Sequence, residues 1–250
     1  MQIEFKGRTV VVTGAARGIG AAIAQGFAGL GARVFACDMA ADALAALGEG
    51  IVGRVVDVAD EAAMAAFVRE AEAASGHVDV LVHVAGGVRG KRQMPIEQVS
   101  SRDWLDIYDA NVMGAFNAAR AVVPGMKRAG GGRIVVIASR AGMGVSLTGI
   151  QSYASAKAAQ LGLVRQLAHE LGPSGITVNA VAPGFMPTSP DYERQWQGYG
   201  EAGQKALIDR TPMRRLGRPE EIAWAVMFLA SPYAGFVNGQ VLPVTGGPQG

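Results

Sequence analysis

The chain has 250 residues, half of them apolar and 18% charged, with a formal net charge of +2. That balance excludes a disordered polyelectrolyte, gives no basic surplus for nucleic acid or an anionic membrane, and suits one large core. A single cysteine, Cys37, excludes an intrachain disulfide and suits a small buried hydrophobe in a reducing compartment.

The first residues lack the apolar run of a signal peptide, and no uninterrupted apolar stretch reaches the roughly 18 residues of a membrane span. The expectation is a cytoplasmic protein. Short runs rich in Val and Ile then alternate with helical patterns. Strands are predicted over 9–12, 33–37, 51–56, 78–84, 133–138, 177–181 and 241–244, several of them apolar on both faces. Helices are predicted over 19–30, 41–47, 61–74, 102–127, 153–171 and 219–230, the last opened by Pro219-Glu220-Glu221. Regular alternation implies an α/β fold, a doubly wound parallel sheet flanked by helices. No linker or repeat divides the chain, so residues 1–250 read as one domain. Residues 184–217 form a long irregular segment after a strand, the usual place for a lid.

Where the first strand gives way to the first helix stands Thr13-Gly14-Ala15-Ala16-Arg17-Gly18-Ile19-Gly20. Glycine there lets backbone approach a pyrophosphate, and the helix N-terminus offers free N–H groups. Asp38 ends the second strand, where a carboxylate can bond both ribose hydroxyls of NAD and repel the extra phosphate of NADP. Arg17 argues the other way, since a basic side chain in this loop suits that phosphate. Weighing a short acid fixed on a strand against a long base facing solvent favours NAD. Further on, Tyr153 and Lys157 lie four residues apart on one helical face. An ammonium beside a phenol lowers its pKa, and a shift from about 10 to neutrality requires roughly 4 kcal/mol. Such a tyrosine becomes a general acid/base.

Thr-Gly-x-x-x-Gly-Ile-Gly near the start, paired with Tyr-x-x-x-Lys past the middle, resembles the short-chain dehydrogenase/reductase family over essentially the whole chain. The resemblance implies a Rossmann-type fold with a seven-stranded sheet and an NAD(P)-dependent oxidoreductase acting on CH–OH groups. It implies a catalytic tetrad of Asn111, Ser139, Tyr153 and Lys157. Asp57 and Val58 resemble the adenine contact, Ala85 and Gly86 the ribose passage, and Pro183, Gly184, Met186 and Thr188 the segment seating the carboxamide. On this reading Ser139 holds the substrate oxygen, Tyr153 moves its proton, and Lys157 binds the nicotinamide ribose. Asn111 anchors a water that links Lys157 to solvent. One departure stands out: the family usually reads Asn-Asn-Ala-Gly after the fourth strand, and this chain reads His83-Val84-Ala85-Gly86. With no second histidine at ligand spacing, His83 reads as a hydrogen-bonding replacement, and no metal is expected.

The expected partner is a small molecule, with neither nucleic acid nor membrane: a polar hydroxylated compound, with or without an acidic group, interconverted between secondary alcohol and ketone or between sugar hemiacetal and lactone. Candidate contacts for it are Arg89, Arg140, Gln151 and Arg194, because arginine grips carboxylate or phosphate with paired bonds. A solvated basic loop is the competing reading. An NADPH-dependent 3-oxoacyl carrier-protein reductase is the alternative enzyme, with Arg102, Arg120, Lys127 and Arg128 as a patch for an acidic carrier. A catalytically silent nucleotide-binding regulator is the alternative class. The apolar second faces of helices 102–127 and 153–171, with the stretch 236–250, suit a homotetramer, as the resemblance also implies.

Overall fold

A computed structural model of the chain describes residues 2–248; the last two residues of the 236–250 stretch lie outside them. Seven strands form one parallel sheet: β1 (Thr9–Thr13), β2 (Arg33–Asp38), β3 (Ile51–Val55), β4 (Val80–His83), β5 (Gly132–Ile137), β6 (Ile176–Pro183) and β7 (Val241–Val244). Their order is β3-β2-β1-β4-β5-β6-β7, so the winding reverses between β1 and β4 and opens a crevice at their C-terminal ends.

Alternating strand residues feed two cores. Val10, Val12, Val34, Val80 and Val82 point to one face, where α1 (Gly18–Gly29) and α9 (Pro219–Ala230) cover them. Val11, Phe35, Leu81, Ile134 and Val178 point to the other, beneath α3 (Glu61–Ala73), α5 (Gly114–Ala129) and α6 (Gln151–Leu171). Burial on both faces explains why these strands read as continuous apolar runs. A short α2 (Ala41–Ala45) links β2 to β3.

The structure departs from the sequence expectation in two places. The helix expected over 102–127 is α4 (Ser101–Tyr108), a π-helical turn at Asp109–Met113, and then α5. Periodicity of apolar residues does not register the one extra residue of such a turn. The segment 184–217 is not irregular, for it carries α7 (Pro190–Gly198) and α8 (Gly200–Arg210). Pro190 at the start with Asp191 and Glu193 in the first turn is a helix opening, but α7 and α8 bury no residue fully and so lack a strong apolar stripe.

His83, at the end of β4, is fully buried. The Thr13 hydroxyl oxygen accepts from the N–H groups of Val84 and Ala85 at 3.2 and 3.3 Å, leaving its own proton for His83 Nδ1 at 3.0 Å. The ring is therefore the Nε2–H tautomer, a hydrogen-bonding replacement that ties β4 to β1. Nε2 finds no partner of good geometry. Burial first, then the charge of Lys157, push the ring's pKa down to about 3, against the nearby backbone of Asn111 and Ala85.

The sign follows from that depression: between about pH 6.5 and 3 the unfolded chain holds a proton that the folded chain refuses, so stability falls as pH falls through that window. Going from pH 7.5 to 4, the parent should lose roughly 3 kcal/mol more than His83→Asn. Urea unfolding at both pH values measures it, and equal losses would refute it.

Candidate active site

The crevice holds a cavity of about 680 Å³, running from the loop between β1 and α1 to the segment after β6. At one end the loop is tight: a Cβ on Gly20 would lie 2.0 Å from the Gly14 carbonyl oxygen, so only glycine closes it. The N-cap residue Arg17 makes no side-chain cap, which leaves the first N–H groups of α1 without one. Gly14, Arg17, Ile19 and Gly20 line the cavity, whereas Gly18 packs beneath Thr188. Asp38 is held by the N–H groups of Ala16 and Ala40, each at 3.1 Å, with its carboxylate on the cavity wall. Asp57, Val58, Ala85 and Gly86 line the adjoining wall, and Pro183, Gly184, Met186 and Thr188 the far one. A glycine cradle with free N–H donors at one point and a fixed carboxylate beyond it fit an extended dinucleotide.

At the other end, Ser139 leaves β5 in extended conformation and opens a 3₁₀ turn, Arg140–Gly142. A Cβ on Gly142 would meet the Lys157 backbone at 2.7 Å, so glycine lets this turn lie directly on α6. That contact brings Ser139 to Tyr153. Ser139 Oγ accepts from the Ala141 N–H at 3.0 Å, which leaves its own proton for another acceptor. The hydroxyls of Ser139 and Tyr192 are the polar neighbours that favour the Tyr153 phenolate. Tyr192 comes from α7, outside every motif, and is itself held above its usual pKa by burial.

Lys157 is 3% exposed, and its Nζ donates to the Ile137 carbonyl and to Gln160 Oε1, each at 3.0 Å. An ammonium has three donors, so one remains, and Lys157 lines the cavity. Burial pushes its pKa down to about 7. The expectation that Lys157 lowers the Tyr153 pKa is not met. Burial raises that pKa, the hydroxyls of Ser139 and Tyr192 oppose the rise, and Lys157 is not among the causes. Its Nζ lies 5.8 Å from the Tyr153 ring centroid and is turned to other acceptors.

Asn111 is not on the cavity wall. Its Oδ1 accepts from the Gly87 N–H at 3.0 Å, and its Nδ2 donates to the carbonyls of Gly87 and Ile107 at 2.9 and 2.8 Å. The side chain thus pins the loop after β4 to the π-helical turn. The group that meets the Asn111 carbonyl is Gln160 Nε2, at 2.8 Å. Gln160 was detectable only as a polar residue three positions past Lys157 on the same helix.

Of the candidate substrate contacts, Arg89 and Arg140 line the cavity. Arg89 reaches Met39 beside Asp38, and Arg140 donates to the Val145 carbonyl at 3.3 Å. Gln151 and Arg194 are directed elsewhere: Gln151 donates to the Met94 carbonyl, and Arg194 pairs with Asp191. The basic patch is also largely paired, Arg120 with Glu61, Lys127 with Glu170 and Arg128 with Glu72. Among the described residues no cluster of His, Cys, Asp and Glu suits a metal, and no helix is long and apolar enough to cross a membrane.

A family model described as enoyl-(acyl carrier protein) reductase matches residues 14–249. The chain is 39% identical over 250 residues to (2S)-[(R)-hydroxy(phenyl)methyl]succinyl-CoA dehydrogenase subunit BbsD of Thauera aromatica, covering 97% of each chain. It is 38% identical over 252 residues to the 3-oxoacyl-[acyl-carrier-protein] reductase of Escherichia coli K12, covering 98% of each. With the 7alpha-hydroxysteroid dehydrogenase of the same strain it shares 36% identity over 260 residues, 98% of this chain and 95% of that one. Among solved structures, levodione reductase superposes with a TM-score of 0.91 at 31% identity, covering 98% of each chain.

The buried lysine has a cost that pH reveals. Its pKa is about 7 folded against an ordinary 10.5, so the unfolded chain holds the extra proton between those values and stability rises with pH across them. Lys157→Met should therefore be more stable than the parent near neutrality, and its advantage should shrink by roughly 3 kcal/mol between pH 6.5 and 9.5. Thermal or urea unfolding of the cofactor-free proteins measures this. An advantage independent of pH would show that the ammonium is not strained by burial.

Proposed function

The chain belongs to the short-chain dehydrogenase/reductase family, a nicotinamide-dependent oxidoreductase of CH–OH groups, and from that premise we propose an NAD-dependent enzyme that interconverts a secondary alcohol and a ketone. The observation that carries this reading is the convergence of Ser139, Tyr153 and Lys157 at one end of a cavity whose other end offers Asp38 and the glycine loop.

When bound, the nicotinamide supplies the acceptor or donor of the hydride. Ser139, its oxygen already engaged by Ala141, gives its proton to the substrate oxygen and holds that oxygen against Tyr153. In oxidation Tyr153 takes the hydroxyl proton, and in reduction it returns it. The free donor of Lys157 would hold a ribose hydroxyl of the cofactor. That acceptor favours the ammonium, and an ammonium beside the tyrosine favours the phenolate. Asn111 keeps the wall at Gly86 and Gly87 in place rather than touching the reacting atoms.

Asp38 supports NAD, since its carboxylate is fixed by two backbone donors and cannot turn away from a 2′-phosphate. Arg17 and the carrier-protein reductase relatives favour the NADPH reading, although the pairing of the basic patch weighs against a carrier. Residues 184–217 act as a lid in this proposal: Asp191 accepts from the Gly90 N–H and Gln195 donates to the Leu147 carbonyl, both at 3.0 Å. Arg140 is the anchor for an acidic group on the substrate, within a wall that includes Leu147, Phe185 and Tyr192. Exposed Leu105, Met113, Phe116 and Phe236 suit a homotetramer, and the buried thiol of Cys37 suits a reducing cytoplasm.

Screening the purified protein for NAD reduction against hydroxy acids, sugar acids, polyols and neutral secondary alcohols tests the reading. Tyr153→Phe should keep the fold and cofactor binding and lose nearly all turnover; activity within a few-fold of the parent removes Tyr153 from the mechanism. NAD should be preferred over NADP by at least about tenfold in kcat/KM, about 1.4 kcal/mol. Equal use of both means that Arg17 outweighs Asp38. Arg140→Ala should raise KM for an acidic substrate far more than for its neutral analogue, and equal changes would dismiss the anchor.

A further inference from the structure

Gln160 stands on α6 three residues past Lys157, with no exposed surface. Its two ends do different work: Oε1 accepts from Lys157 Nζ at 3.0 Å, and Nε2 donates to the Asn111 carbonyl at 2.8 Å. The orientation of the amide is not ambiguous, because an ammonium only donates and a carbonyl only accepts. Together with the Ile137 carbonyl at 3.0 Å, Gln160 gives the ammonium two fixed protein acceptors, and Lys157 also lines the cavity. A leucine or methionine would fill the same space without the desolvation cost of a buried amide, so packing alone does not account for glutamine.

A water joining Lys157 to the Asn111 carbonyl would need the place that this amide occupies. Water both holds an ammonium and passes a proton onward. A carboxamide holds it equally well but does not readily exchange a proton of its own. We propose that Gln160 is a positioning residue that replaces such a water, stabilising the Lys157 ammonium from the protein interior and leaving its third donor, on the cavity side, as the one that exchanges. The proposal rests on the reading of Lys157 as the partner of Tyr153 and of the cofactor ribose. It places the proton exit of the site on the cavity side, where the lid controls water.

The test uses the cofactor-free full chain. With five lysines, ¹³Cε-lysine NMR resolves the Lys157 titration, assigned by its loss in Lys157→Met. In Gln160→Met the Lys157 midpoint should fall by at least about half a unit, because an acceptor for the charged form is gone. A smaller fall overturns the proposal. Should Gln160→Met not fold, the parent answers by itself: the Gln160 side-chain amide ¹⁵N resonance should move with the Lys157 midpoint, and one that ignores it overturns the proposal. A second arm follows NADH binding by fluorescence as a function of pH. The pH at which binding weakens should shift down with the Lys157 midpoint in Gln160→Met. A shifted Lys157 midpoint with unchanged NADH binding upholds the Gln160 assignment and refutes the ribose contact, so the two readings fail separately.

Discussion

Lys157 carries a positive charge into a largely buried position at the edge of the cavity, and the rest of the site is arranged around that ammonium. It is met from below by the Ile137 carbonyl at the end of a central strand and by the amide of Gln160. Two acceptors do not replace full hydration, and the depressed pKa records the shortfall. The third donor is what a cofactor hydroxyl would complete. The same charge reaches His83, which must stay neutral beside it. Destabilisation concentrated on one functional group is the usual trade between a stable core and a working site.

The tyrosine illustrates why such a site is described by states rather than by a fixed pKa. Tyr153 is a buried phenol whose burial favours its proton, while two hydroxyl neighbours oppose that preference. On the proposed mechanism its competence depends on the ionisation of a lysine, which depends in turn on what accepts the lysine's last N–H, so that catalytic power would be assembled with the ligand. The second hydroxyl, from Tyr192, is delivered by a segment that also bonds to Gly90 through Asp191 and to Leu147 through Gln195.

What the sequence made legible was local. A glycine loop between strand and helix, an acid at a strand end and Tyr-x-x-x-Lys each lie within a few residues, and their spacing carries their geometry. The alternation of strands and helices placed them in one crevice. The departures came from contacts distant in the chain. Gln160 meets a carbonyl 49 residues away, Gly90 meets an acid 101 residues away, and Tyr192 comes close enough to Tyr153 to influence its ionisation. No spacing rule anticipates these. The π-helical turn was hidden for another reason: one extra residue barely disturbs an apolar pattern read over several turns, yet it redirects everything beyond it.

That extra residue has a mechanical consequence. Each residue of an α-helix advances the chain by about 100° around its axis, so the wider turn at Asp109–Met113 offsets the phase of α5 from that of α4 by about that angle. Leu105 and Phe116, both exposed and eleven residues apart, would share a face of a straight helix, and the slip swings them onto different ones. The same turn carries Asn111, which ties the cavity wall to the helix and offers its carbonyl to Gln160. A rod with a deliberate phase slip couples two surfaces: the outward faces of the two segments and the inner wall of the crevice are set by one angle. Deleting a single residue there would not shorten a loop; it would turn one half of the rod against the other and move both surfaces at once.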